Sequence, residues 1–194
     1  MRPSTIASLT LLTSLSSALP SIIPRAESKT FALLYAGNSN AVPPPVGALN
    51  HGSWAVGVGS TGHAILVPNV GDAARLFYEY GPDDATSVGT ASIGIMITPG
   101  GTATVPSTNV VVLENNNGTK GVEIAPTAEG LPSLRYDGGS FQACREGDEL
   151  VLRYVKAGQR LFADCAKAEL IAVCRSGGNG QQLGAPRSVE CQSN

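Results

Sequence analysis

Apolar and polar residues along this chain alternate in short runs, and breaks rich in glycine or proline interrupt them before a helical period can build. "TFALLYA" (Thr30 to Ala36) alternates weakly and predicts a mostly buried strand. "SWAVGV" (Ser53 to Val58) and "HAILVP" (His63 to Pro68) flank "GSTG", which predicts a hairpin. "RLFYEY" (Arg75 to Tyr80) stops at "GPDD", and "ASIGIMI" (Ala91 to Ile97) stops at "TPGG". "NVVVLE" (Asn109 to Glu114) and "KGVEIA" (Lys120 to Ala125) flank "NNNG" and predict a second hairpin. "SLRY", "SFQAC", "ELVLRYV" and "AELIAVC" complete the series. The sum is roughly ten strands at spacings of about 8–15 residues, the cadence of an antiparallel β-sandwich or barrel. "NVGDAARLF" (Asn69 to Phe77) and "AKAEL" (Ala166 to Leu170) have room for one helical turn each, and no other window favours helix. The predicted class is all-β.

The stretch "LRYDGGSFQACREGDELVLRY" (Leu134 to Tyr154) shows the logic in detail. "DGG" turns the chain and "REGDE" turns it again, so the charges fall where solvent can hold them. Phe141 and Ala143 share one face of the strand between, and Gln142 and Cys144 share the other. In the next strand Leu150, Leu152 and Tyr154 alternate with Val151, Arg153 and Val155, so both faces are largely apolar. A strand of that kind belongs in the middle of a sheet. "VGTASIGIM" is loose, and "SGGNGQQLGAP" reads as a mobile loop.

The N-terminal residues are of a different kind. Arg2 is followed by the uncharged apolar segment "IASLTLLTSL" (Ile6 to Leu15), and Ser16 and Ala18 stand at the small positions of a cleavage site. This is the pattern of a secretory signal peptide, too short to span a bilayer. The expected organisation is a signal peptide at 1–18, a flexible arm at 19–29 with Arg25 as a candidate processing point, and one β domain at 30–175. Residues 176–194 then form a loop and tail tied back by a disulfide. No other window is long and apolar enough to span a membrane, and the tail "CQSN" is not a lipid-anchor signal.

Charge narrows the partners. The chain carries 13 basic and 15 acidic side chains, and the basic ones are dispersed. Nucleic-acid binding needs a concentrated positive footprint, so it is not expected. All four cysteines (Cys144, Cys165, Cys174 and Cys191) lie in the last third of the chain. An even number in an exported protein reads as disulfides. Of the three possible pairings, Cys144–Cys165 with Cys174–Cys191 closes the most modest loops, each contributing about 3 kcal/mol in the chain-entropy model. Spacings of 21, 9 and 17 residues contain no C-x₂-C knuckle, and no histidine lies nearby, so a zinc site is not expected.

Candidate chemistry is sparse. His51 and His63 flank the hairpin that carries Trp54, and a strand pairing that joined them would suit a metal or acid–base role; hydrogen-bonded structure is the commoner use. "GVGSTG" around Ser60 departs from G-x-S-x-G and lacks the strand-to-helix context of a nucleophile elbow. No helix or G-K-[ST] follows those glycines, which excludes a phosphate loop. Paired carboxylates for glycoside hydrolysis would have to come from Asp137, Glu146, Asp148, Glu149 or Asp164, all in or beside expected turns. Aromatic residues make up only 5% of the chain, with one tryptophan, which weakens a sugar-cleaving reading and, less strongly, a sugar-binding one. Trp54 with Tyr35, Tyr78 or Tyr80 is the candidate ligand platform, against a core-packing role for the same rings. "NGT" at Asn117 to Thr119 is an N-glycosylation acceptor in an expected exposed turn. No catalytic residue, metal site or cofactor is expected.

The leader, the "F-x-L-L" strand at Phe31 to Leu34 and the element "GLPSLRYDGGSFQAC" resemble small secreted fungal proteins of the phialide cell-wall type. These in turn are similar to secreted elicitors of plant-pathogenic fungi and to IgE-binding fungal antigens. The likeness rests on an "L-x-F/Y-x-G-G-x-F-x-A-C" block with a second cysteine about twenty residues on, here Cys165 in "FADC", and it is best over Leu131 to Cys174. The first half of this chain holds no cysteine, where many cell-wall members carry one. The resemblance implies a β-barrel or sandwich, an extracellular or cell-wall setting and disulfide roles for the four cysteines, and it carries over no catalytic residue. The function expected is that of a secreted, non-enzymatic fungal protein of the wall or extracellular space, an effector or elicitor acting on host defence. A cell-wall glycan-binding module is the alternative, and a small secreted hydrolase ranks below both. The partners expected are a host protein or a wall polysaccharide.

Intact-mass analysis of the unreduced, secreted protein after alkylation is expected to show no added label; two labelled cysteines would refute the pairing scheme.

Overall fold

The structure is a computed structural model, and it describes residues 24–36, 52–70, 74–82, 85–98, 109–115, 117–178 and 183–193. Signal peptide and His51 lie outside the described residues. The chain is all-β, with fourteen strands and no helix among the described residues. In order they are β1 (Arg25–Ser28), β2 (Phe31–Ala36), β3 (Trp54–Val58), β4 (Ala64–Pro68), β5 (Tyr78–Tyr80), β6 (Ser87–Gly89) and β7 (Gly94–Ile97). β8 (Asn109–Glu114), β9 (Glu123–Pro126), β10 (Pro132–Arg135), β11 (Ser140–Glu146), β12 (Glu149–Val155), β13 (Ala166–Cys174) and β14 (Val189–Gln192) follow.

Six of these strands close on themselves. β2 pairs β3, β3 pairs β4, β4 pairs β12, β12 pairs β11, β11 pairs β13 and β13 pairs β2, every step antiparallel. The result is a barrel, which removes the free sheet edges that an open sheet would leave. Its interior follows the period of two. Phe31, Leu33 and Tyr35 of β2 enter the core with Phe141 and Ala143 of β11, and Leu150, Leu152 and Tyr154 of β12 meet Ala166, Ala168, Leu170 and Ala172 of β13. Alanines on β13 face the bulky side chains of β2 and β12, so large and small residues fill the narrow interior together. β12 is central, as its two apolar faces require: β11 lies along one edge, and β4 and then β8 lie along the other.

A second sheet, β5–β6–β7–β8, grows from the barrel where β8 pairs β12. It returns at an isolated bridge between Phe77 and Phe31, whose main chains exchange hydrogen bonds of 3.1 and 2.7 Å. Val88, Ile95, Ile97, Val111 and Leu113 from this sheet join the barrel side chains in one apolar cluster.

Several local expectations give way to longer-range pairing. β8 and β9 do not form a hairpin across "NNNG": β9 pairs only β10, and the chain after β8 runs back over β7. Thr119 fixes that course. Its main-chain N–H donates to the Ile95 carbonyl, and its Oγ1 both accepts from the Ile97 N–H and donates to the Ile97 carbonyl. Gly118 and Gly121 supply the left-handed φ of 78° and 86° at the two corners. "DGG" makes a corner as well, with Asp137 at φ 42°, and delivers β10 and β11 to successive positions on β13. "AKAEL" is extended within β13, where its alternate alanines are wanted inside the barrel. Arg25–Ser28, expected in a flexible arm, is β1, because β14 offers it an antiparallel edge from Arg25↔Gln192 to Ser28↔Val189. Ser87–Gly89, within the stretch read as loose, is β6.

The two disulfides are Cys144–Cys165 and Cys174–Cys191, the pairs preferred from loop size. The β11/β13 register runs Phe141↔Ala168, Gln142↔Lys167, Ala143↔Ala166, so Cys144 and Cys165 occupy the next position, with Cα atoms 4.5 Å apart. Cys174 is the last residue of β13, paired to Phe31, and its bond to Cys191 holds β14. Each end of β13 is therefore fixed covalently.

Replacing Cys144 and Cys165 together by serine is expected to lower the unfolding free energy by about 3 kcal/mol and to open the chain around Arg160 to trypsin. Replacing Cys174 and Cys191 should leave cleavage at Arg160 unchanged; peptide mapping of both variants decides. Two buried tyrosines give a second expectation. The Tyr80 and Tyr154 hydroxyls are pushed up to about 12, first by burial and then by Tyr78 and Asp137 respectively. Unfolded tyrosines ionise near their ordinary value of about 10. The folded state thus keeps protons that the unfolded state releases, and stability should fall as pH rises from about 10 to about 12. Urea unfolding across that range should show the slope in the native protein and a flatter one in Y80F/Y154F.

Candidate functional site

The most distinctive surface feature is the connection from β12 to β13, residues 156–165. It begins with a tight turn, in which Gln159 N–H donates to the Lys156 carbonyl (3.0 Å) and Gly158 adopts φ 79°. It then lies across the outward face of β11, the face that carries Gln142 and Cys144. Gln142 is 1% exposed, and its side-chain amide serves Phe162 in both directions. Nε2 donates to the Phe162 carbonyl, and Oε1 accepts from the Phe162 N–H, both at 3.2 Å. A buried amide satisfied in this way acts like one rung of a β-ladder made by a side chain. Three residues on, Cys165 is joined to Cys144.

The clamp holds out an apolar tip. Leu161 is 40% and Phe162 37% exposed, and among the described residues the only other exposed large hydrophobic is Val70. Apolar groups on a tip anchored at both ends are displayed by the fold, since the loop cannot turn them inward without breaking the Gln142 bonds or the disulfide.

Beneath the loop lies a cavity of about 230 Å³, walled by the Cys144–Cys165 disulfide, Phe162, Arg145, Glu146, Arg153 and Asp164. Arg153 donates to Glu146 Oε1 through Nε at 2.8 Å and also through Nη2. Arg145 is held less completely. Its Nη2 is 3.8 Å from Asp148 Oδ1, and its Nη1 is buried with no hydrogen-bond partner among the described residues.

A second cavity of about 230 Å³ opens beside Glu79, between β9 and the segment that leads into β14. Glu79 is 5% exposed, accepts from the Ile124 N–H at 2.7 Å and pairs with Arg187 at 3.8 Å. Its carboxylate ties β5 to β9 and to the C-terminal segment, a structural use for a charged residue placed between two aromatic ones in "YEY".

The residues singled out in the sequence are distributed otherwise. Tyr78 and Tyr80 are each 3% exposed, with ring centroids 6.0 Å apart, and Tyr80 O–H donates to the Thr90 carbonyl at 3.1 Å. They are core residues on β5 and offer no ligand platform; Tyr35 is buried too. Trp54 is half-buried on β3, packed against the core cluster. His63 starts the β4 run and bridges Val112 through the main chain. Ser60 donates its N–H to Glu149 Oε1 at 3.3 Å, which ties the β3–β4 turn to the start of β12. Of the five carboxylates, Glu146 and Asp164 reach one cavity, while Asp137 sits in its own turn. Asn117 is exposed. Phe162 and Arg145 were missed by sequence reasoning because "RLFAD" carries no strand pattern and its neighbours come from three separate segments. The signals available were a charged strand end beside a cysteine and a glutamine inside "SFQAC".

Neither the curated proteins nor the solved structures compared with this chain include a match. A family match covers residues 28–174, a span that contains all six barrel strands, the Cys144–Cys165 bond and the whole of the clamped loop. On that match the chain belongs to the family described as Domain of unknown function (DUF7907).

Proposed function

We propose that this is an exported, non-enzymatic protein that works by contact, in the cell wall or the space around it, on a host protein or a wall polysaccharide. The observation that carries the reading is the clamped tip, where Leu161 and Phe162 stand at the surface while their main chain is fixed by Gln142 and Cys165. Binding surfaces gain from such anchoring, because little conformational freedom remains to be lost on association. The two disulfides suit an oxidising compartment. No helix among the described residues is long and apolar enough to cross a membrane. The exposed Asn117 supports a glycan at that site in a eukaryotic secretory pathway. The extracellular setting and a role toward a host are what the resemblance over Leu131 to Cys174 implies.

A glycan-binding role is the second reading, favoured by one observation: the part-exposed Phe162 ring shares a cavity with Arg145, Glu146 and Asp164. An aromatic face beside charged donors and acceptors is the combination that a sugar ring requires. On this reading the sugar contact is Phe162 and not Trp54.

L161S/F162S is expected to melt within a few degrees of the native protein, because the side chains removed are exposed. It should lose both retention on insoluble wall material and the defence response of treated plant tissue, scored against a heat-denatured control. Retention and response equal to those of the native protein would sink the contact reading. On chitin and β-glucan, Phe162→Ala should weaken retention more than Trp54→Ala.

A further inference from the structure

We infer that the outer edge of β1 is a self-association surface, where β1 of a second copy of this chain adds as an antiparallel strand about a two-fold axis. The surface is separate from the Leu161–Phe162 tip and independent of the contact reading above. Its edge geometry and its charges both point to a second copy.

β1 ends the run of paired strands and pairs with β14 alone. Just beyond it, Ser193 donates its N–H to the Pro24 carbonyl at 3.1 Å, which continues the register that runs from Arg25↔Gln192 to Ser28↔Val189. Opposed residues in an antiparallel ladder alternate between hydrogen-bonded and non-bonded pairs. Pro24 with Ser193 is a bonded pair, so Ala26 with Cys191 and Ser28 with Val189 are bonded pairs too. The N–H and C=O groups of Arg25 and Glu27 therefore point away from β14, and residues 24–27 are all exposed.

Two other edges are closed. On β9 the Ile124 N–H is taken by Glu79 at 2.7 Å, and Pro126 has no N–H to offer. On β5, Tyr80 is bridged by Pro186, and the Glu79 carbonyl accepts from the Arg187 N–H at 2.8 Å. The edge of β1 is left bare, and a bare edge is a template for a further strand.

Charge selects what adds there. Edge guards of one sign repel a second copy, whereas Arg25 and Glu27 are of opposite sign and share one face of the strand. With Ala26 set opposite Ala26 of the second copy, each Arg25 faces a Glu27, and both residues fall in bonded pairs. Sliding the register by two positions either way sets like charges opposite each other. Glu27 also stands opposite Glu190 in the β1–β14 register, an arrangement that repels. Arg25 is turned to Glu190 at 3.4 Å, and Glu27 accepts only from Ser188 Oγ, also at 3.4 Å, among the described residues. The Arg25 guanidinium of a second copy meets that unbalanced acid. Such a short pairing makes a weak, concentration-dependent contact.

Sedimentation of the unreduced, secreted protein from about 10 µM to about 1 mM should show a reversible monomer–dimer equilibrium. Amide hydrogen exchange should slow at Arg25 and Glu27 as the dimer fills, whereas Ala26 and Ser28 are already slowed in the monomer. Arg25→Glu and Glu27→Arg should each weaken dimerisation at least about tenfold. An equimolar mixture of those two variants should recover it, because each then meets the opposite charge. Glu27→Pro, which removes the acid and an outward N–H, should abolish dimerisation and keep the bonds to β14. A monomer at every concentration, a mixture no better than its components, or a dimer unchanged by Glu27→Pro would overturn the assignment. So would a dimer lost in L161S/F162S and kept in the charge variants, which would move the interface to the tip.

Discussion

The architecture depends on the seam between β11 and β13. Five of the six barrel pairings build one antiparallel sheet, and the sixth brings the two ends of that sheet together over three register positions. The Cys144–Cys165 bond extends the seam by a fourth position and makes it covalent. Closure is what allows the alternation of large and small side chains to become a filled interior, since an open sheet would leave Leu152 and Tyr154 facing water across from alanines. β13 also pairs β2, β10 and β14, so nearly every part of the molecule is referred to a strand that is fixed at both ends.

How much of this was legible in the sequence follows from the range of each interaction. The strands with clean alternation, such as β3, β4, β11 and β12, were readable because each carries its own evidence for a buried face. The tight "REGDE" turn was readable too, because two strands of matched length sit beside it. The pairing of β8 was not: "NNNG" has the local chemistry of a hairpin, and only Thr119, by capping Ile97, tells the chain to continue over β7. β1 and β14 were invisible for a related reason. β1 is polar and mostly exposed, and β14 is only four residues long with Val189 and Cys191 alternately buried; they are strands because each supplies the other with an edge. The helical turn expected at "AKAEL" failed on intrinsic preference, since alanine favours helix until a narrow barrel calls for small side chains at every second position.

The candidate site was less legible than the fold. Sequence reasoning looks for aromatic residues near one another and found Tyr78 and Tyr80, which turned out to be among the most buried rings in the chain. The ring at the surface, Phe162, lies in a segment without periodicity, and what holds it there is Gln142, a polar residue on a strand face whose purpose appears only when the loop folds over it. A glutamine in the middle of "SFQAC" is out of keeping with a two-sided buried strand. That kind of local misfit, more than any motif, marked the place where the surface is built.

The linkage between Cys174 and Cys191 has a mechanical side. Tension applied to the end of β14 passes through the sulfur bridge from Cys191 to Cys174 and so into the barrel. Tension applied before β1 meets no such bridge and peels that strand from β14 one hydrogen bond at a time. A molecule held in a growing or drying matrix would thus give way at one terminus and hold at the other.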